Sequence, residues 1–218
     1  SVESINISTL SAIVAAGAGV RVAKHGNRSV SSKCGSADLL EALGVELELA
    51  PDQVKESIEQ VGIGFMYAPA FHGAMKHAIG PRKSLGVRTV FNLLGPLTNP
   101  ADADRQLLGV FSDQWVRPVA EALRELDVER ALVVHGAVGM DEISLTGETV
   151  YAEVMDGKIT EGQFEASDFG EVEIELDKIA GGGIETNRDI AEALLDGQAA
   201  DPVEAIIAVN AGAVIYLG

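Results

Sequence analysis

The sequence predicts an α/β domain with a mostly parallel central sheet flanked by helices. Short, very apolar runs at residues 20–23, 62–67, 106–111 and 131–134 alternate with longer stretches of helical period. Most of these runs stop at a glycine, a proline or a polar cluster, and 47% hydrophobic content over 218 residues is ample for a sizeable core. Strands separated by helix-length segments pair in parallel through crossover connections, and ligands of such sheets sit beyond the carboxyl ends of the strands.

In chain order, residues 8–19 read as an Ala-rich buried helix closed by glycine, and 20–23 as a brief strand leading into a loop. Residues 36–43 form a short helix with Ser36 as its cap. Residues 52–61 carry apolar positions at Val54, Ile58 and Val61, the spacing of a surface helix. The strand at 62–67 ends at Ala68-Pro69, because the residue before a proline is pushed out of helical backbone. Residues 72–94 read as helix in two pieces broken near Gly80-Pro81, and 95–104 as a loop holding two prolines. A strand at 106–111, a helix at 114–126 and a strand at 131–134 follow, the last ending at His135-Gly136. From 142 to 159 the texture is short β segments, with Asp156-Gly157 as a hairpin turn. Gly181-Gly182-Gly183 reads as a flexible joint before helices at 187–195 and 202–216. No repeat or linker marks a second domain, so residues 1–218 read as one unit.

Charge and cysteine usage narrow the function. Asp plus Glu number 33 against 16 Lys plus Arg, for a net charge of −17, which argues against a nucleic-acid partner. The acids are scattered through the chain, as on a solvated surface, and with only seven lysines the composition resembles proteins of a high-salt cytoplasm. A single cysteine, Cys34, excludes an internal disulfide and a cysteine-based zinc site; it reads as a small packed residue. No basic-then-apolar leader and no run of about 18 apolar residues is present, so a cytoplasmic location is expected, with no membrane partner.

The richest stretch is Lys24-His25-Gly26-Asn27-Arg28-Ser29, continuing to Ser31, Ser32, Gly35 and Ser36, directly after the first apolar run. A glycine for a tight path, with Lys24, Arg28 and the hydroxyls as donors, suits an anion such as phosphate or carboxylate. On local sequence alone, Ser8 and Thr9 read either as an ordinary helix cap or as part of a helix N-terminus aimed at an anion. Asp141-Glu142 reads either as solvated loop charge or as a hard-oxygen site for Mg²⁺ beyond the strand at 131–134. Arg82, His25 and His72 are open between surface or structural roles and ligand contacts.

Taken together, the motifs resemble the anthranilate phosphoribosyltransferase family. Asn6-Ile7-Ser8-Thr9, the Lys24 to Ser32 loop, Ala68-Pro69-Ala70-Phe71-His72, Arg82, Asn92-Leu93-Leu94-Gly95-Pro96-Leu97-Thr98-Asn99-Pro100 and Gly139-Met140-Asp141-Glu142 follow in the order the family uses. The resemblance implies a nucleoside phosphorylase/phosphoribosyltransferase-like large domain that moves the phosphoribosyl group of phosphoribosyl pyrophosphate to the amine of anthranilate, in tryptophan biosynthesis, with release of diphosphate. It further implies Asn6, Ser8, Thr9 and Lys24 at phosphoribosyl pyrophosphate, together with Ser32, Gly35 and Ser36. His25, Asn27, His72 and Arg82 are implied at anthranilate, and Asp141 and Glu142 as Mg²⁺ ligands. A proton-accepting role for His72 is a subsidiary expectation. The family's Gly-Thr-Gly-Gly-Asp loop and the small helical domain before it are expected ahead of residue 1. The chain therefore reads as a fragment of a longer, homodimeric enzyme. The alternatives are a pyrimidine nucleoside phosphorylase-like enzyme, against which Asp141-Glu142 and the segment 92–100 stand, and a non-catalytic binding paralogue.

The acidic surface yields a first prediction. At molar salt the screening length falls to about 3 Å, so carboxylate repulsion is suppressed. The melting temperature should rise from low salt to molar KCl, and a Tm independent of KCl would remove the high-salt reading.

Overall fold

The computed structural model describes residues 4–29, 33–73 and 91–218, with the backbone alone for Phe91 and Asn92. The described elements are α1 (Ile7–Gly17), β1 (Val22–Gly26), α2 (Ser36–Ala42), α3 (Pro51–Val61), β2 (Ile63–Tyr67), α4 (Ala68–Phe71), α5 (Phe91–Leu97), β3 (Arg105–Gly109), α6 (Val116–Glu125), β4 (Arg130–Gly136), β5 (Thr149–Met155), β6 (Lys158–Phe164), α7 (Ile184–Leu195) and α8 (Asp201–Leu217).

The α/β class holds. β1 pairs in parallel with β2, Lys24 opposite Phe65 and His25 opposite Met66. β3 pairs in parallel with β4, Leu107 opposite Leu132. β5 and β6 extend that second sheet, in the order β3-β4-β5-β6, as an antiparallel hairpin turned at Asp156-Gly157. Both turn residues have positive φ, 52° and 71°, which an Asp-Gly pair adopts at low cost. The sheet is therefore mixed: parallel where strand ends face the cleft, antiparallel at the far edge.

Each helix follows from its apolar spacing. In α6, Val116, Val119, Ala120 and Leu123 recur at helical intervals and are buried against Val133, Ala152 and Val154 of the sheet. In α8, Val203, Ile206, Ile207, Asn210 and Ala211 form one buried stripe, and the helix opens with Pro202 in its first turn and Asp201 and Glu204 near the positive dipole end. That stripe shares a core with Ile7 and Leu10 of α1 and with Met140 and Leu145 after β4. Ser11 of α1, itself buried, donates its Oγ hydrogen to the Ile207 carbonyl at 3.4 Å.

Several local expectations change. β1 begins at Val22 and runs to Gly26, so Lys24 and His25 lie in the strand and not in the loop after it. Ala68-Pro69 opens the one-turn α4 with Pro in its first positions, where a missing N–H costs nothing, and His72 falls just past it. α5 continues through Pro96 to Leu97, where the proline, lacking an N–H, forgoes one helical hydrogen bond. The cap of α2 is Gly35, not Ser36; Asp38 Oδ2 turns back to accept the Gly35 and Ser29 N–H groups, each at 2.9 Å. The break at Gly80-Pro81 lies outside the described residues.

The glycine run at 181–183 is not a loose joint. Ala180 bridges Ser4, and the Ile5 N–H donates to the Ile179 carbonyl at 3.0 Å, drawing the chain before α1 against this segment. A Cβ on Gly181 would meet the Ser4 backbone, with the carbonyl carbon at 2.8 Å. Gly183 caps α7, which begins at Ile184. Gly181→Ala should lower the unfolding free energy by about 1–3 kcal/mol, the range of an overpacked core site, read by urea denaturation.

Candidate active site

The carboxyl ends of β1, β3 and β4 and the start of α1 face one cleft of about 1120 Å³. Its lining includes Ser8, Lys24, His25, Asn27, His72, Asn99, Asp141 and Glu142. Motifs separated by more than 100 residues in sequence therefore meet in one place, as expected for an open α/β sheet.

The acidic pair is positioned by the residues on either side of it. Met140 and Ile143 are each 1% exposed, so both ends of the Asp141-Glu142 step are pinned in the core and the two acids face the cleft. Gly136 at the end of β4 donates its N–H to the Met140 carbonyl at 2.9 Å. Gly109 at the end of β3 approaches the Asp141 carbonyl so closely that any Cβ would collide with it. The turn entering the pair holds Val138 at φ 56° and Gly139 at φ 82°. Glycine takes this backbone freely, whereas a β-branched valine is strained there.

Charge in the cleft is concentrated and opposed. Burial pushes the Glu142 carboxyl well up from the ordinary range; Asp141 beside it adds to the rise and Lys24 opposes it. Burial pushes the Lys24 ammonium down, against the raising influence of Glu142 and Asp141. Two carboxylates this close form an unfavourable pair that a divalent cation would relieve. No cluster of three or more His, Cys, Asp or Glu side chains able to hold a metal occurs among the described residues. A two-carboxylate oxygen site fits Mg²⁺, which keeps waters and draws further ligands from bound phosphates.

Next to Lys24 on the cleft lining, His25 meets His72 with Nε2 atoms 3.2 Å apart and ring planes tilted by 65°. A hydrogen bond at that separation has one ring nitrogen donating and the other accepting, with the roles set by the tautomers. Burial, then His72, then Lys24 lower the His25 pKa to about 4.

Other expected residues fall in several places. Ser8 is exposed and lines the cleft, while Thr9 is 1% exposed with no partner for Oγ1 among the described residues. Asn6 stands at the N-cap of α1 and makes no side-chain capping bond, so a simple hydroxyl or amide cap does not occupy this helix end. Asn27 lines the cleft, and its Oδ1 accepts from the Arg28 N–H at 2.7 Å. Ser36 Oγ donates to the Asn27 carbonyl at 3.3 Å, and Gly35 packs directly on the backbone of 27–29. Arg28 does not face an anion site: it forms a bidentate pair with Glu41 at 2.7 and 2.8 Å and reaches Asp38 at 3.2 Å. Cys34 packs against the core, and burial raises its thiol pKa. Ser32 and Arg82 lie outside the described residues.

Sequence reasoning missed Asn99, Gly109, Gly136 and Asn210 as individual contributors. Asn99 Nδ2 donates to the Ala23 carbonyl at 3.1 Å, joining the loop after α5 to β1. The signals present in the sequence were glycines ending two strands and one amide on the apolar stripe of the last helix.

Residues 1–218 match the glycosyl transferase family, a/b domain. The chain belongs to that family. The glycosyl transferase domain is 56% identical over 215 residues to anthranilate phosphoribosyltransferase of Haloarcula marismortui, covering 99% of this chain and 65% of the relative. It is 54% identical to that of Haloferax volcanii, with the same shares covered. It superposes on the crystal structure of anthranilate phosphoribosyltransferase from Thermus thermophilus with a TM-score of 0.91 at 51% identity, covering 98% of this chain and 63% of that one. For the Saccharomyces cerevisiae enzyme in complex with PRPP and Mg, the TM-score is 0.88 at 32% identity, with 99% of this chain and 61% of that chain covered. The domain thus spans about 62–65% of the length of the curated relatives it matches. No helix among the described residues is long and apolar enough to cross a membrane.

The histidine pair yields a pH prediction. As pH falls below about 6.5, the unfolded chain protonates at this position while folded His25 stays neutral until about 4. Stability should therefore fall across that window, and His25→Asn should flatten the fall. An NMR titration placing the His25 midpoint near 6.5 would overturn this prediction.

Proposed function

We propose that the chain is the α/β catalytic domain of an anthranilate phosphoribosyltransferase, acting with Mg²⁺ in tryptophan biosynthesis in the cytoplasm as part of a longer, homodimeric enzyme. The observation that carries this is the convergence of Lys24, Asp141 and Glu142 on one cleft with Ser8 at a helix N-terminus and the His25–His72 pair. Support comes from the yeast relative in complex with PRPP and Mg, and from the same enzyme in complex with 4-fluoroanthranilate, to which this chain superposes with a TM-score of 0.87 at 32% identity.

The proposed chemistry is displacement at C1 of the ribose. The anthranilate amine forms the new C–N bond as the C–O bond to diphosphate breaks, and the amine proton passes to solvent or to a base. Charge of oxocarbenium type develops at the ribose, so orientation and electrostatics supply most of the acceleration. In this reading Asn6, Ser8, Thr9 and Lys24, with Ser32 and Ser36 in support, hold phosphoribosyl pyrophosphate. The N-terminus of α1 directs its dipole at the phosphates. Asp141 and Glu142 hold Mg²⁺. Magnesium, when bound, neutralises charge on the departing diphosphate. His25, Asn27, His72 and Arg82 receive anthranilate, with Arg82 on its carboxylate. With its pKa lowered to about 4, His25 adds no charge to be desolvated at the wall of the acceptor site. In this reading His72 is also the group that would accept the amine proton.

The test is loss of anthranilate fluorescence with phosphoribosyl pyrophosphate and Mg²⁺ in molar KCl, using this chain and a longer form extended to the length of its relatives. Turnover in the longer form supports the reading. A folded longer form that lacks it, or one that cleaves nucleosides with phosphate instead, overturns it. In the active form, Asp141→Asn with Glu142→Gln should raise the Mg²⁺ needed for half-maximal rate by about tenfold or more. Arg82→Ala should raise the anthranilate KM by at least about tenfold, since a charged hydrogen bond is worth about 1.5–3 kcal/mol. An unchanged KM would remove Arg82 from the acceptor site.

A further inference from the structure

The last helix packs on both residues flanking the acidic pair, and one of its side chains adds hydrogen bonds to that packing. Asn210, on the buried stripe of α8, is 2% exposed and lies among Ile206, Ile207 and Ala211. Its Oδ1 accepts the Ile143 N–H at 3.0 Å, while its Nδ2 donates to the Ile143 carbonyl at 2.9 Å and to the Ile206 carbonyl at 2.9 Å. The amide thus grips both backbone groups of the residue immediately after Glu142. Only one orientation of the amide satisfies these partners, because two carbonyls require the NH₂ end and one N–H requires the oxygen.

This grip is one of three on the same short segment. Gly109 closes on the Asp141 backbone from β3, and a Cβ on Gly136 would lie 2.8 Å from Ser144 and crowd the Glu142 carbonyl from β4. Two of the holds come from the sheet, and their close approach fixes the segment from one side. The third comes from α8, which is itself tied to α1 by the Ser11 to Ile207 bond, one turn before Asn210. The same helix therefore touches the segment carrying Asp141-Glu142 and the helix whose N-terminus carries Asn6, Ser8 and Thr9.

We propose that Asn210 is a positioning residue for metal-dependent binding of the phosphoribosyl donor: it fixes Asp141-Glu142 relative to the N-terminus of α1, so that carboxylates and phosphate donors face a bound diphosphate together. This rests on the reading of Asp141-Glu142 as the Mg²⁺ site given above. An apolar side chain at 210 would preserve the stripe yet leave the Ile143 N–H and carbonyl buried without partners. The segment would then shift to satisfy them, and the metal site would move with it.

The experiment measures phosphoribosyl pyrophosphate binding by calorimetry across a Mg²⁺ titration, in the longer form of the protein, for the wild type, Asn210→Leu and Asn210→Asp. Loss of a group that orients metal ligands is expected to raise the Mg²⁺ midpoint by about tenfold to a hundredfold in both variants. Anthranilate KM at saturating Mg²⁺ should stay at the wild-type value. A wild-type midpoint in folded variants overturns the positioning role, as does an equal loss of both substrates, which would mark general disruption. If the wild type binds the donor independently of Mg²⁺, the reading of the acidic pair fails first, and the role of Asn210 falls with it. Hydrogen exchange at the Ile143 amide of the wild-type protein gives a check that needs no variant. Slow exchange, comparable to that of β4, is expected; fast exchange overturns the grip.

Discussion

Asp141 and Glu142 sit side by side in a partly buried cleft, and like charges held that close repel each other and resist desolvation. Nothing in the local sequence makes this arrangement favourable, so the rest of the fold must impose it. The imposed geometry comes from outside the pair. Met140 and Ile143 anchor in two different core clusters, glycines at the ends of β3 and β4 close on the intervening backbone, and an amide from α8 holds the exit. Lys24, on a strand of the other sheet, supplies the positive charge that favours an ionised Glu142. Removing the cation side of this balance, or displacing any of the backbone holds, would let the pair separate toward solvent, where each acid is readily hydrated.

The legibility of the chain follows from how local each determinant is. α6 and α8 are readable because their apolar residues recur at helical spacing, and the β5–β6 hairpin because Asp156-Gly157 suits positive φ at both positions. β1 lies about two residues later than its apolar run suggests: Lys24 and His25 look like loop residues by polarity, but parallel pairing with β2 carries them in register to Gly26. Gly181 looks like a hinge because glycine is equally suited to freedom and to close approach, and only the position of Ser4 decides between them. Arg28 looks like an anion donor because its partners, Asp38 and Glu41, lie a helix turn apart on an element whose orientation cannot be read from spacing.

The candidate site divides along the same line. The groups that would touch ligand are visible as motifs, because their chemistry is unusual for their surroundings: a lysine and a histidine after an apolar run, and adjacent acids after another. The groups that hold them are invisible. Gly109, Gly136 and Asn210 carry no charge and look like ordinary strand ends and one tolerated amide, yet each acts on backbone atoms of the acidic segment. A sequence pattern reports side-chain chemistry well and backbone contact poorly, since the contacted partner can be any residue.

A buried amide on an apolar helix face has a further consequence for how firmly the cleft is set. Apolar side chains pack acceptably in several registers, because dispersion and burial are non-directional. The stripe of α8 alone would therefore allow small slides against α1 and the sheet at modest cost. Asn210 removes that tolerance. Its two hydrogen bonds to Ile143 are made in one register and lost together in any other, leaving a buried donor and acceptor unpaired, while its bond to the Ile206 carbonyl stays within the helix. Ser11 adds a weaker, longer bond in the same sense one turn away. Two polar contacts on one helix thus convert a continuous packing surface into a discrete position. In an acidic chain whose surface ion pairs contribute little each, such buried directional bonds are what give the cleft a single geometry.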